Sequence, residues 1–281
     1  VGLVHHPLAL ETGLDETLRQ QLHVSEREAL RHVRHVIVTS PNTARELTAY
    51  GVSPEHRTVV PPGTDPAPLA EGSGGVELAL LCAASLTPRK GHAVLFRALA
   101  RLRRLPWRLR CAGSDALDPT TATALRALLA ALELTDRVEL LGELDAVALA
   151  VRYRQADVFV LASWYEGYGM VLAEALARGL PIISTTAGAI PDTVPADAGL
   201  LVPPGAEAAL AAALARVLTE PELRQRLTAG ARAARRTLPD WPTVCARFAA
   251  TLDAVSARSP ASRRTGSNFA NRWTRFPAIP N

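Results

Sequence analysis

Two glutamates, Glu166 and Glu174, frame the segment of this sequence whose residue types best suit chemistry. Upstream of them an apolar run from Asp157 to Ala162 ends at Ser163. Downstream a helical pattern starts near Met170 and stops at Gly179, a natural left-handed cap. Gly167 and Gly169 lie between and let a ligand approach the backbone closely. The first N–H groups of such a helix, those of Met170 and Val171, have no partner inside it, so with the helix dipole behind them they form an anion site. The carboxylates beside that site suit hydroxyls better than phosphate, since one carboxylate accepts two hydrogen bonds from a sugar diol. A second candidate is Lys90, inside Thr87-Pro88-Arg89-Lys90-Gly91 at another strand-to-helix junction, where it would contact phosphate. Each signal is weak alone: two acids at this spacing occur on many solvated helix faces, and a single lysine is usually a surface residue. Trp164 and Tyr165 read equally as wall packing or as sugar-stacking platforms, and His56 and His92 read as surface residues.

Positioning these groups requires strands that end beneath them. From residue 76 onward, apolar runs near 78–83, 107–112, 137–141, 157–162, 181–184 and 199–202 read as strands. Helical stretches near 91–104, 120–133, 145–155, 169–178 and 206–218 separate them. Strands alternating with helices imply right-handed crossovers and a mostly parallel, doubly wound α/β sheet. Such sheets bind ligands beyond the carboxyl ends of their strands, where both candidates lie. Before residue 76 the pattern is cut short: a strand over 35–40, a helix over 42–50 stopped at Gly51, and a strand over 58–60. The Pro/Gly-rich passage that follows has no periodicity and reads as a linker. The expected division is a partial first domain over 1–61, a linker over 62–75, a complete Rossmann-like domain over 76–240, a terminal helix over 241–257 and a disordered tail over 258–281.

Composition agrees with this class. Of 281 residues 48% are hydrophobic but only 5% aromatic, and there is a single Met, so the apolar content is mainly that of helices packed on strands. Lys plus Arg number 31 against 27 Asp plus Glu, a net charge of only +4. The basic cluster of Arg101, Arg103 and Arg104 falls at a helix C-terminus, without the aromatic interleaving of a nucleic-acid surface. A weak attraction to anionic membrane surfaces is compatible with the charge. Cys82 and Cys111 sit in apolar runs and Cys245 stands apart, so the cysteines read as small core hydrophobes rather than ligands or disulfides. No run is long enough for a membrane span and residues 1–20 lack a signal-peptide layout, which makes the cytoplasm the expected compartment.

The pattern around Glu166 and Glu174, S-x-x-E-G-x-G-x-x-x-x-E-A-x-A-x-G-x-P, closely resembles the E-x7-E signature of family 4 glycosyltransferases, retaining enzymes of the GT-B double-Rossmann fold. Residues 86–92 resemble the family's diphosphate-neutralising lysine loop. Val138 to Gly142 resembles its nucleobase-side strand and turn. Residues 185–192 and 199–205 resemble its G-x-P-E and G-x-L-V-x-P-G landmarks. The resemblance covers residues 36–256 in outline and 82–205 in detail. It implies that Glu166 contacts the transferred sugar and Glu174 the ribose. Lys90, with the N–H groups of Met170 and Val171, would grip the diphosphate, while Gly142, Gly167, Tyr168 and Gly169 would line the donor site. The implied reaction is front-face transfer of a sugar from a nucleotide diphosphate sugar to a glycan, lipid or small molecule, with no metal and no cofactor.

Departures from the family pattern fall at the phosphate site and at the start of the chain. Ala84-Ser85-Leu86 stands where the family often has G-R-L, and Arg89 is the candidate replacement for that arginine. Asp192 replaces a glutamate with a cap-like role. His6, or failing that His5, resembles the histidine that faces the sugar from the acceptor domain. The family's glycine-rich loop after its first strand has no counterpart, as in a chain lacking much of its N-terminal domain. The alternative function is therefore a fragment that binds a nucleotide sugar without catalysis.

Overall fold

The computed structural model describes residues 1–257, so the expected tail over 258–281 lies outside the described residues. Two parallel sheets organise the chain. The first contains β1 (Gly2–Val4), β2 (Val36–Val38) and β3 (Arg57–Val59), in that order. The helix α1 (Glu16–Arg31) links β1 to β2, and α2 (Pro41–Glu46) links β2 to β3.

The second sheet is built from β4 (Leu78–Ala83), α3 (His92–Ala100), β5 (Trp107–Ala112), α4 (Pro119–Ala131), β6 (Val138–Leu140), α5 (Ala146–Arg154), β7 (Val158–Leu161), α6 (Met170–Ala177), β8 (Ile182–Thr185), α7 (Ile190–Thr193) and β9 (Gly199–Val202). Its order is β6-β5-β4-β7-β8-β9, every neighbouring pair parallel. After β6 the chain crosses to the far side of β4 and winds outward again, so the topological switch point lies between β4 and β7. Three further helices close the chain: α8 (Glu207–Thr219), α9 (Pro221–Ala234) and α10 (Trp241–Ala257). No helix among the described residues is long and apolar enough to cross a membrane.

Three strands, β4, β5 and β9, have the bounds their apolar runs predict. The sequence reading contains no counterpart of α1, and the reason is physical: of its 16 residues only Leu30 is buried. The helix is capped by Asp15, which accepts from Leu18 N at 2.7 Å, and docks through one face, where Glu26 accepts from Leu8 N at 2.9 Å and the His23 ring lies 4.4 Å from Tyr50. The helix expected over 42–50 also differs, since α2 ends at Glu46 and tightens into a 3-10 turn, Leu47–Tyr50, capped by Gly51 at φ 80°.

The main core fills the space between the second sheet and its helices, with Trp107, Tyr153, Phe96 and Phe159 fully buried. A small satellite core lies under the first sheet, around Val36, Val38, Leu47 and Tyr50. The last helix, α10, returns from the second unit to the first: Val244 and Phe248 pack against Ile37 and Val60. The passage 62–75 lies against the second unit, with Ala70 N donating to Arg178 O at 2.9 Å and Glu71 N to Arg154 O at 2.8 Å.

Trp107 opens β5 with its indole N–H donating to Leu102 O at 2.8 Å and the Arg137 guanidinium 4.5 Å from its ring. Trp107→Ala removes a fully buried side chain and is expected to lower stability by roughly 3–5 kcal/mol. Urea unfolding followed by circular dichroism checks this; a loss below about 1 kcal/mol would show that the core closes over the gap.

Candidate active site

The loops after β4 and β7 meet at the switch point. The first folds as a 3-10 turn, Pro88–Lys90, that ends at Gly91 with φ 68°, a left-handed residue that opens α3. A Cβ at Gly91 would collide with the carbonyl of Ala162, so the absence of a side chain is what lets this loop seat on the end of β7. Trp164 N donates to Arg89 O at 2.8 Å and fastens the two loops together.

Glu166 is carried into this junction at 5% exposure. Its Oε1 accepts from Lys90 Nζ at 2.6 Å and from Ser163 Oγ at 2.7 Å, and Arg89 Nη1 lies 3.6 Å from Oε2. The backbone behind it is fixed from β8 and its following turn. Thr185 Oγ1 donates to Ser163 O at 2.7 Å and Ala189 N to Glu166 O at 2.8 Å, while Gly188, at φ 56°, leaves no room for a Cβ beside Glu166. A carboxylate this deep needs paired cations and hydrogen bonds, and here it has both.

Lys90 is the one lysine of the chain. Beside it α6 begins after Gly169, at φ 84°, and points its first N–H groups, those of Met170 and Val171, toward the same space. A cavity of about 470 Å³ joins these groups, lined from the second unit by Arg89, Lys90, Glu166, Gly167, Tyr168, Gly169, Met170 and Val171. His5, His6 and Thr39 line it from the first unit, and Trp241, Val244 and Phe248 of α10 form an apolar wall.

The structure therefore brings nine of the sequence-derived candidates, His6 among them, into one cavity and leaves two outside its lining. Glu174 is half-buried one turn into α6, where it accepts from the Tyr153 hydroxyl at 3.0 Å. Gly142 follows β6 at φ 68°, and its carbonyl accepts from Gly113 N at 2.8 Å. It adjoins a separate hollow of about 320 Å³ lined by Ser85, Gly113, Ser114 and Glu143. Both hollows lie on the carboxyl-end side of the second sheet, where a doubly wound fold receives ligands.

Glu11 carried no signal in the sequence, and Tyr165 read equally as wall packing or as a stacking platform. Glu11 bridges the units, 3.0 Å from Arg89 Nε and 3.5 Å from His6 Nε2. Tyr165 donates to Glu46 Oε2 at 2.6 Å and lies 5.6 Å from the His6 ring. Burial, then the Glu46 carboxylate, pushes the Tyr165 phenol well above its ordinary value, and burial raises Tyr168 and Tyr153 as well. All three stay protonated donors across the physiological range.

Asp192 has a cap-like role, at a helix the sequence does not name. Its carboxylate accepts from Asn42 N at 2.8 Å at the start of α2, so it caps a helix of the other unit rather than its own. His92 is not the surface residue expected: it is 1% exposed and packs under the Lys90 loop, whereas His56 is exposed.

Against this geometry, the sequence matches the family of Glycosyl transferases group 1 over residues 36–234 and the Glycosyl transferase 4-like domain over residues 1–63. It is 30% identical over 273 residues to an MMP alpha-(1->4)-mannosyltransferase of Mycolicibacterium hassiacum, a match covering 92% of this chain and 66% of that protein. A D-inositol 3-phosphate glycosyltransferase of Kineococcus radiotolerans is 32% identical, over 76% of this chain and 55% of that one. The chain thus spans less than two thirds of either relative's length. Among solved structures, sucrose-phosphate synthase from Thermosynechococcus elongatus superposes with a TM-score of 0.80 at 28% identity, covering 92% of this chain and 68% of that chain. Anabaena HepE in complex with UDP and glucose superposes at 0.79 and 21% identity, over 90% and 70% of the two chains. The two Rossmann-like sheets with a cleft between them are the GT-B architecture, and the chain belongs to the group 1 glycosyl transferases.

Proposed function

We propose that this chain holds a nucleotide diphosphate sugar at the β4/β7 switch point and serves an enzyme that transfers the sugar, with retention and without a metal ion, to a glycan, lipid or small-molecule acceptor. The observation that carries this reading is the Lys90–Glu166 pair at 2.6 Å beside the first N–H groups of α6. One cation and a helix terminus meet a diphosphate, while the carboxylate next to them meets sugar hydroxyls. The mannosyltransferase and inositol-phosphate glycosyltransferase activities named for the relatives, and the UDP and glucose bound by HepE, support a nucleotide-sugar donor.

In the proposed complex the diphosphate shares Lys90 with Glu166, which loosens the carboxylate's hold on the ammonium and turns it toward the transferred sugar. Negative charge growing on the departing phosphate then meets donors already in place, the kind of preorganised term that dominates many enzymes. Glu174, steadied by Tyr153, takes the ribose, and the hollow beside Gly142 takes the base. His6 faces the reaction centre from the first unit, held near Glu11 and Tyr165.

Calorimetry with UDP-, GDP- and ADP-sugars in the presence of a chelator tests the donor site. At least one donor is expected to bind. Lys90→Ala removes a charge-assisted contact of about 1.5–3 kcal/mol, so affinity should fall roughly 10-fold or more, and Glu174→Ala should weaken the same donor. Glu166→Gln is expected to leave donor affinity within a few-fold but to slow transfer roughly 100-fold or more. No binding by any donor, or equal binding by wild type and Lys90→Ala, defeats the reading.

Gly91 offers an independent check. Gly91→Ala forces a left-handed alanine against Ala162 O and must shift the loop that carries Lys90. Donor affinity should drop about as far as in Lys90→Ala although every polar side chain is retained; an unchanged affinity would show that the loop's seat on β7 does not matter.

A further inference from the structure

The core beneath the Lys90 loop contains a cluster that the donor site does not use. Cys82 of β4 and Cys111 of β5 are Cα partners in the sheet register, so their side chains share one face. His92, the first residue of α3, lies over them with Nε2 3.7 Å from Cys82 Sγ. Their three ligand atoms all fall within 4.8 Å of one another, and the residues are 0%, 1% and 1% exposed. Among the described residues, His92 Nδ1 is the buried side-chain atom with no hydrogen-bond partner. The nitrogen that faces the cluster, Nε2, has a thiol 3.7 Å away as its partner, a weak one for a buried imidazole.

We propose that Cys82, Cys111 and His92 bind one thiophilic d10 metal ion, Zn2+ or Cu+, in a buried three-ligand site that staples the start of α3 to β4 and β5. Tetrahedral bonds of ordinary length separate two sulfurs by about 3.8 Å and a sulfur from an imidazole nitrogen by about 3.6 Å, so Cys82 and His92 at 3.7 Å already have that spacing and the remaining separations, within 4.8 Å, close by at most about 1 Å. Soft thiolate and imidazole ligands without carboxylates select these ions over Mg2+, Ca2+ or Mn2+. Two thiolates and a neutral imidazole cancel the charge of Zn2+, and binding releases the thiol protons. Cu+ suits the all-soft donor set. Because His92 follows Lys90 by two residues, the ion would brace the loop carrying that lysine, a consequence that rests on the proposed donor site.

The test uses the purified chain and the metals alone. After addition of Zn2+, or of Cu+ under anaerobic reducing conditions, and dialysis against a chelator, elemental analysis should find close to one equivalent of one of the two ions. The arm that retains it identifies the ion. X-ray absorption should show sulfur neighbours together with imidazole nitrogen, for zinc near 2.3 Å and 2.0–2.1 Å, roughly. Cys111→Val should lower retention at least 10-fold, with the exposed Cys245 mutated to Ser as a control that retains full occupancy. If Cys111→Val does not fold by circular dichroism, His92→Phe replaces it, and if neither folds the wild-type spectrum decides. Substoichiometric retention of both metals, neighbours that are oxygen or nitrogen only, or equal retention by the folded variants overturns the proposal. These readouts contain no nucleotide sugar, so failure of the donor site leaves them standing.

Discussion

The constraint on which this structure turns is the burial of one carboxylate. Glu166 sits at 5% exposure against the end of a parallel sheet, where an unpaired charge is untenable. Its partners come from the far side of the switch point, Lys90 and Arg89, and from its own loop, Ser163. That pairing is possible only because β4 and β7 are neighbours while their following loops diverge, which is what the strand order provides. Such a buried ion pair contributes little net stability, and an apolar pair of like volume often does as well or better. Its value therefore lies in what a cation and a carboxylate can do together at the mouth of a cavity.

The same junction ties the two sheets together. Glu11 reaches Arg89 and His6, Tyr165 reaches Glu46, and Asp192 caps α2. The partly exposed Arg45–Asp192 pair adds little by itself. Greater weight rests on α10, whose Val244 and Phe248 cover Ile37 and Val60, and on Gly167, where a Cβ would strike the His5 carbonyl. Apolar contact holds the units side by side, and the polar bridges set which groups face each other across the cleft.

The elements of the second unit were legible because their signals are local. The runs at 78–83, 107–112 and 199–202 are apolar, short and bounded by turn formers, and each has those bounds as a strand. Gly169 and Gly179 mark the two ends of α6 as glycines commonly do. Two kinds of feature were not legible. The polar helix α1 has only a narrow inward face, with Leu22 and Glu26 part-buried and Leu30 buried, too thin to stand out from its charged residues. Contacts between distant residues, such as Glu11 with Arg89, Tyr153 with Glu174, or Cys82 beside Cys111, depend on strand register and on which loops converge. His92 misled for a related reason: it follows polar T-P-R-K-G, yet the left-handed turn at Gly91 rotates it inward.

The presence of lysine at position 90 is informative in a chain that uses arginine at every other such position. A guanidinium there would engage Glu166 in a flat, two-pronged bond that fixes its orientation. An ammonium is compact, offers three donors and pivots on a flexible stem, so it can keep one bond to a carboxylate while turning others to a second anion. Arg89, at 2.9 Å from Tyr165 O and 3.0 Å from Glu11, already performs the fixed role in this site. The division of labour between these two adjacent cations, one locked into the cleft and one free to share its charge, is what a site needs if Glu166 and an incoming diphosphate are to use the same positive charge in turn.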